Sequence, residues 1–286
     1  MAARNVTPLL KRRHLRDRSV RFPHGRHSIP HLVHIDSRRY VSKRTSWKKL
    51  TKDQANLMVT SIWKYWRQLR KTGIKQSKLI TAKPVSIKTA AGENKYAIKM
   101  LETYVGPKNL NQLFHDSPLP EVIPLYSKLV GEGYKSVSIS LPNKPVKSAV
   151  LTDSKPKNWV LGKDGKVRLV DFYSPKLLDA NGEFYPWVPH LHARIRNGMR
   201  MVFQDKRAVF HILLAYSVAV RPELRKEFEQ TLLTFLEKQK EDKVARYIKN
   251  IIKRDYRVTS LANDRVVRAI NLGNAEGRWT GRNAAK

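Results

Sequence analysis

Between residues 50 and 71 apolar side chains return every three or four positions. Ala55, Met58, Val59, Ile62, Trp63, Trp66 and Leu69 share one face of a helix drawn over Leu50–Lys71. Thr51 with Gln54 three residues on has the capping-box pattern, in which each side chain satisfies the other's backbone amide, and Gly73 supplies the stop. Ahead of this helix, His31–Ile35 and Arg39–Lys43 predict two short strands turning at Asp36-Ser37. Behind it, Lys78–Thr89 and Lys95–Val105 predict a second pair, joined through Ala91-Gly92-Glu93-Asn94. Gly106-Pro107 breaks the last strand. Short helices follow over Leu110–His115 and Leu119–Leu129, then a Ser-, Pro- and Lys-rich loop and a strand over Ser148–Thr152. A tight hairpin turns at Lys163-Asp164-Gly165. The remainder is helical in pattern: His192–Phe203, Lys206–Val220, Glu223–Lys240 and Lys243–Arg254, with a loose Gly-, Asn- and Arg-containing tail after residue 271. Strands first and helices later predict an α+β protein with a small β-rich lobe and a larger helical lobe, meeting near Gly106. The divisions are a basic arm over 1–27, the small lobe with its long helix over 28–105, the helical lobe over 106–258 and a basic tail over 259–286.

Charge changes this picture more than size does. The 286 residues suffice for one two-lobed domain, but Lys and Arg number 57 against 23 acidic residues, a formal +34. Such an excess draws polyanions: nucleic acid, anionic membrane or acidic protein. The chain has no cysteine, which excludes disulfides and thiolate metal sites and suits a reducing compartment. The longest apolar stretch, Ala208–Val220, is interrupted by His211 and Ser217 and is too short to span a bilayer. No transmembrane segment is expected. Residues 1–26 hold eight basic side chains and one acidic one, Asp17. An organelle presequence and an arm that lies on nucleic acid both fit that composition. The corresponding locations are the cytoplasm of a bacterial or phage-infected cell and, as the alternative, the mitochondrial matrix.

The chemistry concentrates in Val150–Pro175, "VLTDSKPKNWVLGKDGKVRLVDFYSP". Asp153 is followed by Lys155 and Asn158, then by the hairpin, and Asp171-Phe172 closes the segment 18 residues after Asp153. This arrangement resembles the catalytic loop and metal-binding motif of protein kinases. Phosphoryl transfer needs positioning and charge neutralisation more than covalent help from the protein. The resemblance implies that Asp153 accepts or orients the nucleophile's proton and that Lys155 steadies the phosphate. It implies Mg²⁺ on Asn158 and Asp171, which are hard oxygen donors suited to that ion, with ATP as the nucleotide. It further implies a phosphate role for Lys43, on the strand before the first large helix. The backbone of Glu102, Tyr104 and Val105 would then face adenine. Taken singly, each such residue is an ordinary turn, cap or surface side chain. The joint spacing is what points to phosphoryl transfer.

The segment also departs from the family pattern. Only Gly25 precedes Gly73, so a glycine-rich loop is missing, and the 50–71 helix has no Glu to pair with Lys43, so either Asp53 or Gln54 substitutes or the pair is absent. Leu151-Thr152 stands where the family has His-Arg, and Tyr173 where it has Gly. Such changes resemble those of atypical, phage-encoded and lipopolysaccharide-type kinases and of pseudokinases. Asp205 fits both a helix N-cap and a support for the catalytic loop. Trp63, Tyr65 and Trp66, beside Lys64 and Arg67, have the composition of a base-stacking surface, but their helical spacing favours the core. His190 and His192 lack a third ligand and are assigned to a loop. Lys43, Arg44, Lys48 and Lys49, and the run Lys238–Arg257, are candidate polyanion surfaces. Two functions are therefore carried forward. One is an ATP- and Mg²⁺-dependent phosphotransferase that recruits acidic or nucleic-acid-bound substrates. The other is a catalytically degenerate scaffold of the same fold that binds nucleic acid or a ribonucleoprotein.

Overall fold

Ser28–Ile35 (β1) and Arg38–Thr45 (β2) pair antiparallel in unbroken register, from Ser28↔Thr45 to Ile35↔Arg38. Asp36 and Ser37 make the turn with φ of 47° and 63°, the left-handed pair whose twist matches that of a two-residue hairpin. Leu79–Lys88 (β3) and Asn94–Thr103 (β4) complete one four-stranded sheet in the order β1-β2-β4-β3. β4 is internal, and its Ala97, Ile98, Met100 and Leu101 are buried. Pro84 falls on β3 at the sheet edge, where a missing N–H is tolerated. The computed structural model describes residues 28–45, 50–89, 92–171, 179–183, 185–186 and 203–253. The 1–27 arm, the 259–286 tail, most of the helix expected over His192–Phe203, His190, Phe172 and Tyr173 lie outside the described residues.

The first helix, Lys52–Lys71 (α1), starts where its cap dictates. Gln54 donates its amide to Thr51 Oγ1 at 3.2 Å, and Thr51 donates its own to Gln54 Oε1 at 2.9 Å. Ala55, Met58, Ile62, Tyr65, Trp66 and Leu69 are buried. Trp63 is half-buried and stands edge-on to Trp66 at 5.9 Å. The chain divides into two units, one of residues up to Val59 with Lys78–Tyr104, the other of Thr60–Ser77 with Val105 onwards.

The second unit holds the short helix Leu110–Asp116 (α2), capped reciprocally by Asn109 and Gln112, and then Leu119–Val137 (α3). α3 runs eight residues beyond the expected end at Leu129. Gly133 is buried within it, and a Cβ there would make ordinary contact with Leu213 Cδ1 at 3.4 Å. The region expected to be a loop forms a small hairpin, Ser140–Leu141 (β5) with Lys144–Ser148 (β6), turning at Asn143 with φ 56°. The strand expected at Ser148–Thr152 therefore lies earlier in the chain. Trp159–Leu161 (β7) and Val167–Leu169 (β8) make the expected second hairpin. Lys206–Val220 (α4), Arg225–Lys238 (α5) and Asp242–Ile252 (α6) complete the unit. α5 begins after a single turn over Pro222–Leu224, in which Pro222 takes the first position, where a missing N–H is tolerated. The core joins α2, α3 and α5 through Phe114, Tyr126 and Phe228, whose ring centroids lie 4.5–6.3 Å apart. Among the described residues no helix is long and apolar enough to cross a membrane.

Candidate functional site

The β7–β8 hairpin sets the geometry. Trp159↔Leu169, Val160↔Arg168 and Leu161↔Val167 are its paired positions. Buried Trp159, Val160, Val167 and Leu169 fix that register. At the tip Gly165 takes φ 68°. Asp164 there accepts two 2.7 Å bonds from the Arg168 guanidinium, which holds its carboxyl well below the usual carboxylate range. At the open end Val170 donates its amide to the Asn158 carbonyl at 2.9 Å, extending the ladder by one residue. Asn158 and Asp171, thirteen residues apart in sequence, therefore arrive at the same end of one hairpin. β8 is gripped on its other edge: Leu169 donates to the Lys75 carbonyl and accepts from the Ser77 amide, both at 3.0 Å. Gly106 passes so close to β7 that a Cβ would fall 2.4 Å from the Leu161 carbonyl oxygen. Only glycine fits there without displacing backbone.

The loop ahead of the hairpin is pinned at several points. Tyr65 on α1 donates its hydroxyl to the Leu151 carbonyl at 2.6 Å. Thr152 donates its amide to the Phe203 carbonyl at 2.9 Å, and Ser154 its hydroxyl to the Val209 carbonyl of α4 at 2.7 Å. A single turn at Pro156–Asn158 closes with the Asn158 amide on the Lys155 carbonyl at 2.9 Å. Asn158 also donates Nδ2 to the Asp153 carbonyl at 3.2 Å. Its Oδ1 receives no bond from a described residue and is the atom left for a ligand. Lys155 Nζ stands 3.3 Å from Asp153 Oδ2 and 5.6 Å from the Tyr216 ring centre.

The electrostatics tie these residues together. Burial alone lowers the pKa of the Lys155 ammonium, but Asp153, Tyr216 and Asp171 outweigh it and the net direction is up. Burial raises the Tyr65 phenol far above its ordinary range, and Asp171 and Asp153 add to that. Both aspartates thus act on the same two groups and share one electrostatic neighbourhood. Asp153, Lys155, Asn158 and Asp171 all belong to the second unit. No group of three His, Cys, Asp or Glu able to hold a metal occurs among the described residues. The donors at the hairpin end are one carboxylate and one amide, which suits an ion that keeps most of its ligands from phosphate and water.

In the first unit Lys43 pairs with Glu102, with Nζ 2.9 Å and 3.1 Å from the two carboxylate oxygens and both residues buried. This corrects the expectation of a helix partner. Gln54 is committed to the α1 cap, and the acid comes instead from the neighbouring strand. In the β2–β4 register Val41 faces Glu102 and Lys43 faces Met100, so Lys43 and Glu102 are diagonal neighbours on one face. Glu102 is flanked by Val41 and Leu79 within the sheet. The Tyr104 amide donates to the Arg39 carbonyl at 3.3 Å, with the Arg39 guanidinium 4.6 Å above the Tyr104 ring. The sheet therefore already engages backbone that the family resemblance assigns to adenine. Val105 is half-buried and starts the second unit's long segment.

Asp205 is the N-cap of α4, accepting from the Arg207 amide at 3.0 Å. Its carboxylate is further engaged by the Arg207 guanidinium at 2.7 Å and by Lys147 at 3.6 Å. Among the described residues the cap role stands, and the loop is held instead by Tyr65 and Ser154. Tyr65 lay in the sequence as one residue of an aromatic triplet. Its signal is a hydroxyl on the buried face of a strong helix, which must find a partner. No family model matches the chain, and no curated protein does. Among solved structures the chain is similar to one described as "WaaP in complex with acyl carrier protein", at 13% identity and a TM-score of 0.39, covering 84% of this chain and 89% of that one.

Proposed function

We propose that the second unit carries an ATP- and Mg²⁺-dependent phosphoryl-transfer site of protein-kinase type. One observation carries the reading: the Asp153 loop and the open end of the β7–β8 hairpin gather Asp153, Lys155, Asn158 and Asp171 in one neighbourhood. Asn158 Oδ1 and the Asp171 carboxylate would hold the magnesium ion, which when bound offsets charge on the phosphate oxygens. Asp153 accepts the proton of the acceptor hydroxyl as that oxygen bonds to the terminal phosphorus and the bond to the bridging oxygen breaks. Lys155, kept protonated by the aspartates around it, places a positive charge beside the transferring group. Lys43, oriented by Glu102, is retained as a candidate phosphate-binding residue, described within the first unit alone. Val105 and its neighbours are retained as the adenine-facing backbone of the proposal.

A second reading, the degenerate scaffold, draws on the β1–β2 turn. Asp36 and Ser37 place side chains, one of them a carboxylate, where a glycine loop would present bare amides. Thermal denaturation of the intact protein with ATP, with and without Mg²⁺, tests the proposed site. The expected result is a rise in Tm that needs both. An unfolding curve indifferent to nucleotide would remove the basis for the enzyme. A nucleotide response without any ADP formed would favour the scaffold.

A further inference from the structure

A cavity of about 560 Å³ opens beside the β5–β6 hairpin, bounded by the Asn143 turn and β6 and by side chains of α4 and α6. Five of its lining residues are cations: Lys144, Lys147, Arg207, Lys243 and Arg246. None belongs to the Asp153–Asp171 cluster. Among the described residues Asp205 alone forms ion pairs with any of the five, holding Arg207 at 2.7 Å and Lys147 at 3.6 Å. That buried carboxylate fastens two of the cations in place. Lys144, Lys243 and Arg246 make no ion pair with a described residue, so most of the charge is uncompensated. Lys147 reflects the crowding: burial, and then Arg207 and Lys144, lower its pKa against the opposing pull of Asp205.

The charge does not end at the cavity. α6 buries Val244, Ala245, Ile248 and Ile251, and turns Lys243, Arg246, Asn250 and Lys253 to solvent. Three of them are cations, Lys243, Arg246 and Lys253 (the residue just past the helix end), and they span about 15 Å at 1.5 Å per residue. A small anion needs only the cavity, whereas a stripe leading out of it matches a chain of phosphates. Duplex nucleic acid presents a charge about every 1.7 Å of its axis. The formal +34 of the chain adds long-range attraction for such a polymer. We propose that the cavity and the exposed face of α6 form a docking site for the phosphodiester backbone of nucleic acid, independent of the phosphotransferase reading.

The test is fluorescence anisotropy of a short labelled DNA duplex with the full chain over a range of salt. Lys243→Gln/Arg246→Gln removes two exposed cations of the site. Lys128→Gln/Lys226→Gln removes two exposed cations, of α3 and α5, that do not line it. The first pair is expected to weaken binding about tenfold and to flatten the log–log salt slope by about 1.8, two contacts at about 0.9 each. The second pair is expected to leave the slope unchanged. Equal losses in both pairs would reduce the site to unspecific charge and overturn the proposal. So would absence of duplex binding at low salt, or binding of anionic-lipid vesicles or an acidic peptide by a protein that ignores the duplex.

Discussion

Lys43 and Glu102 illustrate what a single buried pair contributes. Both are nearly inaccessible and each is the other's counter-charge. Removing one leaves an unpaired buried charge, at a cost of about 3–5 kcal/mol, whereas replacing both with apolar residues is close to neutral. Glu102→Leu is therefore expected to be strongly destabilising in urea denaturation, and Lys43→Met/Glu102→Leu to recover most of the loss. An additive double variant would contradict the pairing. Asp153 makes a contrasting prediction. On the proposed reading Asp153 faces the acceptor and not the nucleotide, so Asp153→Asn should abolish phosphate transfer while leaving ATP affinity nearly intact. Full activity in that variant would show that another group takes the proton. Lys155 carries a pH dependence. Its folded pKa lies above the ordinary 10.5, so its stabilisation is complete below that pH and is lost as the pH rises through the raised value. The gap in urea midpoint between wild type and Lys155→Met should hold at neutral pH and narrow above 10.5. A gap that widens in alkali would reverse the sign.

Elements rather than residues place the site, and the close approach of Gly106 to β7 is one such contact. Gly106→Ala drives a Cβ into the Leu161 carbonyl. It should cost about 1–3 kcal/mol as an overpacking change and weaken nucleotide binding by displacing β7. Thermal denaturation of the variant would show this, and an unaltered midpoint would mean the backbone yields freely. How much of this was legible beforehand follows from the range of each interaction. The α1 cap, the helical face and the β7–β8 turn are local patterns, and Thr51, Gln54 and Gly165 signal them directly. The closeness of Asn158 and Asp171 follows from hairpin register alone, so spacing revealed it. The Lys43–Glu102 pair depends on which strands become neighbours and in what register, information that no local window holds. α3 continues past Leu129 because Val130, Gly133, Ser136 and Val137 are buried, a tertiary effect that a local window does not hold. β5 and β6 are too short and too polar to show a period of two.

At the scale of the whole molecule, charge and site make separate claims. The surplus of 34 positive charges concerns attraction and association, not fold. Deleting residues 1–26 removes eight basic side chains and one acidic one. That deletion should lower oligonucleotide affinity and flatten its salt slope, and an unchanged slope would assign the binding wholly to the remaining chain. The chain divides into two units, and the second half of α1 groups with the one that holds the later helices. Tyr65 shows why, since its hydroxyl is bound to the Leu151 carbonyl in the loop it supports. The proposed reading puts a metal ion on Asp171 and Asn158, against the nucleotide phosphates. Calorimetric titration of ATP into wild type and Asp171→Asn, each with and without Mg²⁺, tests it most directly. In wild type Mg²⁺ should strengthen ATP binding at least about tenfold, an effect of about 1.4 kcal/mol, and in Asp171→Asn that gain should collapse. An equal Mg²⁺ effect in both proteins, or ATP binding that ignores Mg²⁺ in wild type, would contradict the account.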